Sequence, residues 1–455
     1  MTPLPSKSTK QPKRKLKSYI DEDKEGNKKV NHILLSEYIL EQHKIIRFTS
    51  TVSRKKTFYI FEDGYKEIKE CEIKNLIILE LDSWHNSRLT KECFEYLIPH
   101  IKHIEQERFY NLTIDLIPVR NGLCNWMTGE LLKYDEKYYH DYKLNVEYDK
   151  EATCEDYQKF LKFFLGDDYK TFIQFCALCI YEKNPIPTIL FLLGSGGDGK
   201  STALSAITKM LGTRVLGYDL KQLVKNRFVG ANLFGKSANI NPDDKTDEEA
   251  PLENLKGYSG NDMKSLELKG VQLPVNAIMG VKFAFAFNKK PQISEISDAT
   301  KRRIIPLQIK VKKEDTRNFI KNNFGAHYIQ ETHFDKDMSG FFNILIEELA
   351  EIVGGSQQEL YLCESSKKYK EYWFYDNDLI QQFLDEHTTE CESDEAFNTV
   401  KEFTTQFKIY FDKQGYSSQK MKAELLDKGI VIKQKKINGI PNKNAIFGRK
   451  LIKKI

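Results

Sequence analysis

The chain predicts an α/β fold with a parallel sheet, and three observations predict it. Ile189–Leu193 (ILFLL) is a continuous apolar run of strand length, as expected for a strand buried on both faces. A glycine-rich turn at residues 194–199 follows directly and opens a helical pattern from Ser201 to Leu211. Farther on, residues 281–287 alternate Phe with Ala, the period of a second strand.

At ~150 residues per domain, 455 residues leave room for two to four domains. A hydrophobic share of 40% and a charged share of 30% exclude wholesale disorder. No apolar run approaches the ~20 residues of a membrane span, so no membrane partner is expected. Residues 1–17 are polar and lysine-rich, unlike a secretory leader. Eight scattered cysteines without framework spacing point to a reducing, cytoplasmic setting. The net charge of +5 is uneven: residues 1–30 carry +5, residues 416–455 carry +9, and the middle carries −9. Basic ends on an acidic body suit a polyanionic partner, although lysine-rich ends also simply solubilise.

Taken in order, residues 1–30 form a flexible basic tail and residues 31–150 a mixed α/β accessory domain. Ile33, Leu34, Tyr38, Ile39 and Leu40 share a helical face, residues 57–61 read as a strand entering a tight turn, and residues 121–132 (NGLCNWMTGELL) as a hairpin. Residues 151–335 hold the glycine-rich turn and the two strands named above, with a helical lead-in at 151–185 whose apolar spacing runs from Asp156 to Tyr181. Residues 336–376 are a helical connector. Residues 377–455 hold helical runs at 379–387, 396–413 and 418–428, then strands at 430–437 and 445–452. Three helices and a basic hairpin outline a winged-helix-like domain. Lys433, Lys435, Lys436, Arg449 and Lys450 are its candidate DNA contacts.

The chemistry lies at residues 194–202, GSGGDGKST, which fit G-x-x-x-x-G-K-[ST]. Gly194, Gly199, Lys200 and Ser201 occupy the fixed places; Ser195, Gly196, Gly197 and Asp198 fill the variable ones, and Thr202 follows. Glycines let successive backbone N–H groups turn toward phosphate oxygens. Lys200 would set a point charge on the β/γ-phosphates, and the Ser201 hydroxyl can ligate Mg2+. The helix that starts here directs its positive dipole end at the same anion. A strand before and an amphipathic helix after the motif imply binding of a nucleoside triphosphate.

Hydrolysis needs further groups. Asp243 and Asp244, after a strand poor in aliphatics, could hold Mg2+ and activate water. Asn288, just past the Phe/Ala strand, could meet the γ-phosphate. Arg302 and Arg303, ahead of a strand at 304–309, could supply charge in trans. Cys176 and Cys179 form a C-x-x-C within an apolar helical run and read as core thiols. His100 and His103 lack a metal-ligand frame.

In this order the parts resemble the superfamily 3 helicases, in particular the helicase half of the satellite-phage and poxvirus type of primase-helicase. The resemblance runs over roughly residues 33–455 and is most specific at 189–310. Asn121-Gly122 with Thr128-Gly129-Glu130 looks like the family's turn ahead of the ATPase, and residues 146–149 (VEYD) like the link after it. Residues 256–262 (KGYSGND), Asn288-Lys289-Lys290-Pro291 and the stretch from Asp298 to Arg303 with Pro306 match the later motifs. The resemblance implies an AAA+-like, P-loop ATPase core using ATP and Mg2+. It implies a homo-hexameric ring on DNA, 3′-to-5′ movement, and replication of a virus or mobile element beside a separate primase or polymerase. It also implies that Lys200 and Ser201 hold triphosphate and metal, that Asp243 or Asp244 polarises water, that Asn288 senses the γ-phosphate, and that Arg302 or Arg303 reaches a neighbour's nucleotide. A pore hairpin is placed between Asp262 and Val281, with Lys264, Lys269 and Lys282 as candidates and Lys269-Gly270 at its tip. The second motif departs from the family, since Asn239, Asn241 and Pro242 interrupt it. No cysteine-rich zinc module precedes the ATPase, so no primer synthesis is expected. The alternative reading is an ATPase that remodels a protein partner, or an ATP-switched origin binder that does not unwind.

Overall fold

The computed structural model describes residues 18–49, 56–104, 115–245, 250–267, 275–294, 297–325, 333–392, 396–437 and 440–452. It is a mixed α/β protein. In the N-terminal part, strands Tyr65–Ile68, Lys56–Phe61 and Ile45–Thr49 pair antiparallel, and Lys102–His103 adds to the last in parallel. Helix His32–Gln42 starts where Asn31 accepts from the backbone N–H groups of Ile33 and Leu34, the usual work of an N-cap Asn. It buries Leu35 and Ile39 with Ile73, Ile77, Cys93 and Leu97 of helices Glu70–Leu81 and Ser87–His100.

Three strands, Leu116–Val119, Gly122–Asn125 and Glu130–Leu132, form the predicted hairpin and one strand more. The motif residues quoted above prove to be bonded to each other. Asn121 donates to the Tyr148 carbonyl and accepts from its N–H, both at 2.9 Å, and the Tyr148 hydroxyl donates to the Gly129 carbonyl at 2.9 Å. These positions brace the junction with the part that follows.

The lead-in is two helices, Glu155–Leu165 and Tyr169–Ile180, because Gly166 at φ +54° breaks the run. From Thr171 to Ile180 the second helix is buried all round, Cys176 and Cys179 included, and burial pushes the Cys179 thiol up to about 12. These are core thiols.

The central sheet has five parallel strands: β1 Ile189–Leu193, β2 Val215–Leu216, β3 Ala238–Asp244, β4 Lys282–Phe287 and β5 Ile304–Gln308, side by side in the order 2-3-4-1-5. Alternation sorts their side chains. Phe191, Phe283, Phe285 and Phe287 lie on one face with Trp373; Leu190, Leu192, Ala284 and Ala286 lie on the other. The alanines leave room there for helix α1, Lys200–Leu211, and for the buried lead-in helix.

β3 is poor in aliphatics for a visible reason. The fully buried Asn239 accepts from the N–H of Tyr218 and donates to its carbonyl, both at 2.9 Å. Its amide thus continues the pairing beyond the two-residue β2.

The C-terminal part has helices Leu379–His387, Val400–Phe411 and Ser418–Asp427 around Phe383, Phe403, Phe407, Met421, Leu425 and Ile446. The expected helix over 396–413 is a strand, Ala396–Thr399, followed by the helix. Thr399 and Glu402 form a capping box that starts the helix at Val400. The three-stranded sheet runs Ala396–Thr399, Ile440–Phe447, Ile432–Ile437.

Candidate nucleotide site

The chain order of strands reverses around β1, which has the fourth strand on one side and the fifth on the other. In open α/β sheets the ligand crevice lies at such a switch point, outside the carboxyl ends of the strands. The loop 194–199 leaves the carboxyl end of β1. Gly197 at φ +79° and Gly199 at φ +113° adopt backbone that side chains resist. Gly199 also packs against the rings of Phe160 and Phe164.

Lys200 begins α1 and folds back into the loop. Its ammonium donates to the carbonyls of Gly194 at 3.1 Å and Ser195 at 2.8 Å and lies 2.8 Å from the Asp198 carboxylate. Lys200 is 5% exposed and Asp198 1%. Gly194 faces Asp198 and leaves no room for a side chain, whereas Ser195, Gly196 and Gly197 line the open side. Thr202 is buried under the loop.

Across the loop, the Ser201 hydroxyl donates to the Pro242 carbonyl at 3.3 Å, and the Asn288 amide donates to Asp243 Oδ1 at 3.4 Å. Gly196 is beside the same Asn288. The register of β3 against β4 slips between Asn241 and Asp244, a bulge that re-aims Asp243. Asp244 instead is buried and accepts from the N–H of Leu220, at the start of helix Leu220–Lys225. The structure therefore gathers Lys200, Ser201, Asp243 and Asn288 and holds Asp244 buried against the N–H of Leu220. A hydroxyl and a carboxylate beside a glycine-rich loop suit Mg2+, which usually takes one or two protein carboxylates plus substrate phosphates. Among the described residues no group of three His, Cys, Asp or Glu could cage a metal alone.

Arg302 and Arg303 end helix α2, Asp298–Arg303, just before β5. Ile304 pairs with Ile189 at the start of β1, while the loop leaves the far end, after Leu193. Five residues at ~3.3 Å separate the arginines from their own loop by roughly 15 Å along the strand. Arg302 is exposed and makes no ion pair or hydrogen bond among the described residues; the half-buried Arg303 donates to the Ala299 carbonyl at 3.2 Å.

The pore-hairpin candidates part ways. Lys264 lies on the antiparallel pair Met263–Leu266 with Val275–Ile278, its stem laid over Gly257. Lys269 lies outside the described residues. Lys282 is corrected: it is 1% exposed, and its ammonium donates to the carbonyls of Tyr181 at 2.8 Å and Lys183 at 2.9 Å, out of reach of any strand of DNA. Burial lowers its pKa from 10.5 to about 8. The unfolded chain thus binds the proton more tightly, and stability should rise with pH between about 8 and 10.5. The span is on the order of 3 kcal/mol. Urea midpoints of wild type and Lys282→Met across pH 7–10.5 should diverge in slope; parallel slopes would mean that the ammonium is solvated.

In the C-terminal part Lys433, Lys435 and Lys436 are exposed on Ile432–Ile437, with the Lys435 ammonium 5.1 Å from the Phe447 ring centre. Lys450 is exposed over the Phe397 ring. Arg449 is corrected: it is tied inward to Glu390 at 3.0 Å and to the Leu384 carbonyl at 3.3 Å, so it is a strut of the module. The sequence reading missed Asp198 as the partner of Lys200, although an acid between two loop glycines was a visible signal. It also missed helix α3, Lys313–Phe324, whose buried Thr316 donates to the Asp198 carbonyl at 2.7 Å. Nothing local in the sequence signals that contact.

Comparison with known proteins agrees with this architecture. Residues 20–166 match the D5 N terminal like family, and residues 192–303, from the end of β1 to Arg303, match a family of unknown function, DUF5906. No curated protein matches the chain significantly. The apo structure of the NrS-1 C-terminal region is similar at TM-score 0.50 and 13% identity, covering 92% of this chain and 99% of that one. An A-form apo structure of the same region gives 0.49 and 12%, covering 92% and 100%. The first likeness establishes a shared fold. No described helix is long and apolar enough to cross a membrane.

Proposed function

We propose that this chain is an ATP-driven DNA helicase of the superfamily 3 kind, which assembles as a ring and unwinds duplex during replication of a phage or similar element. The observation that carries the reading is the split of the hydrolytic parts: Lys200, Ser201, Asp243 and Asn288 gather at the carboxyl end of β1, while Arg302 is exposed at the other end of the sheet. The 2-3-4-1-5 strand order and the D5-like N-terminal match support it.

In this reading the loop N–H groups and Lys200 hold the triphosphate. Ser201 and Asp243 would hold Mg2+, which when bound neutralises charge developing on the β/γ-oxygens. Asp243 orients the attacking water, and Asn288, hydrogen-bonded to Asp243, reports the γ-phosphate. A ring places Arg302 of one subunit at the next subunit's nucleotide, so turnover requires assembly. The exposed C-terminal lysines hold DNA phosphates.

ATP turnover with and without single-stranded DNA, run beside a strand-separation assay, tests the reading. DNA-stimulated turnover with strand separation is expected. Turnover indifferent to DNA, with no separation, would leave an ATPase that works on a protein partner. Changing Lys433, Lys435 and Lys436 together to Gln should weaken DNA binding and flatten the slope of log affinity against log salt by ~0.9 per lost duplex phosphate contact. An unchanged slope would remove the C-terminal part from the DNA interface.

A further inference from the structure

The loop's own cation is already balanced. The Lys200 ammonium lies 2.8 Å from Asp198, and both side chains are buried. A triphosphate brings several negative charges to a loop whose internal pair is neutral. Besides Mg2+, a further cation in the same subunit would strengthen the hold on the phosphates, and Arg302 lies at the far end of the sheet.

Helix α3 brings one. Lys313 is its first residue, and a methyl group built on Gly197 would lie 3.0 Å from Lys313 Cδ, 3.1 Å from Cγ and 3.2 Å from Cε. The lysine stem thus lies across the tip of the loop, where Gly197 leaves room for it. Thr316, one turn along, donates to the Asp198 carbonyl at 2.7 Å and locks this first turn to the loop. The Lys313 ammonium is exposed, and no ion pair or hydrogen bond engages it among the described residues. A cation at the first position of a helix meets the positive end of the dipole and is unfavourable there. Of the two acids in the same turn, Asp315 is engaged by the N–H of Lys312 at 3.2 Å, and Glu314 is exposed. An anion seated on the loop would relieve the repulsion, and the start of α1 favours the same anion.

We propose that Lys313 is a second phosphate-binding cation of this site, acting within its own subunit on the phosphate chain. The proposal rests on the nucleotide reading above. The test is the affinity of the full chain, with Mg2+, for ATP and for inorganic tripolyphosphate, measured by calorimetry. Lys313→Ala should weaken both by roughly tenfold, the scale of a lost charge-assisted hydrogen bond, and Lys313→Arg should keep most of the affinity. Equal affinities in wild type and Lys313→Ala, with Lys200→Ala still weakened, would overturn the role of Lys313 and leave the nucleotide site standing. A loss confined to ATP, with tripolyphosphate binding unchanged, would move Lys313 to the base or sugar and overturn the phosphate role. Wild type that binds neither ligand would overturn both readings.

Discussion

Lys200→Ala is expected to abolish ATP turnover, a loss of at least ~10²–10³-fold on the scale of removing one preorganised charge from a transition state. The structure adds a second consequence. Asp198 would be left buried with no cation beside it. Breaking a buried pair from one side typically costs ~3–5 kcal/mol. Lys200→Ala should therefore also lower the thermal midpoint. Adding Asp198→Asn should recover much of that stability, because the neutral amide needs no counter-charge, but none of the turnover. Thermal unfolding and ATP turnover measured on both variants separate the two effects. Retained turnover in a folded Lys200→Ala protein would rule out the loop as the catalytic site.

Arg302→Ala should cost ~10³–10⁵-fold in turnover rate, the range known for arginines supplied to a phosphoryl-transfer site. Its ability to bind ATP should persist. The register of β5 on β1 places Arg302 too far from the loop of its own subunit, so the deficit should be repairable between subunits. Mixing Arg302→Ala subunits with Lys200→Ala subunits creates some interfaces with an intact Lys200 on one side and an intact Arg302 on the other. Activity above that of either variant alone is expected. Strictly inactive mixtures that still form rings would sink the trans arrangement. Arg303→Ala removes a guanidinium bonded to the Ala299 carbonyl and should act mainly on stability.

Much of this site was legible beforehand because its signals are local. Glycines at 197 and 199 are demanded by positive φ within one turn, and a buried parallel strand announces itself as an unbroken apolar run. The Phe/Ala alternation of β4 is likewise a direct image of two unlike faces. Where reading failed, the cause was a partner far away in the chain. Lys282 has the composition of a DNA contact, and only the approach of the Tyr181 and Lys183 carbonyls makes it a buried strut. Arg449 is held in by Glu390 in the same way.

The sequence by itself determined the α/β class and the glycine-rich turn between β1 and α1, since each is written in periods and spacings of a few residues. Only the tertiary structure shows where the two carboxylates lie: past a slip in the β3 register, Asp243 stands beside the Asn288 amide, while Asp244 is buried against the N–H of Leu220. It alone set Arg302 at the far end of the sheet and laid Lys313 across Gly197. Strand register and helix docking join residues that are distant in sequence, and no local pattern records which distant group will arrive.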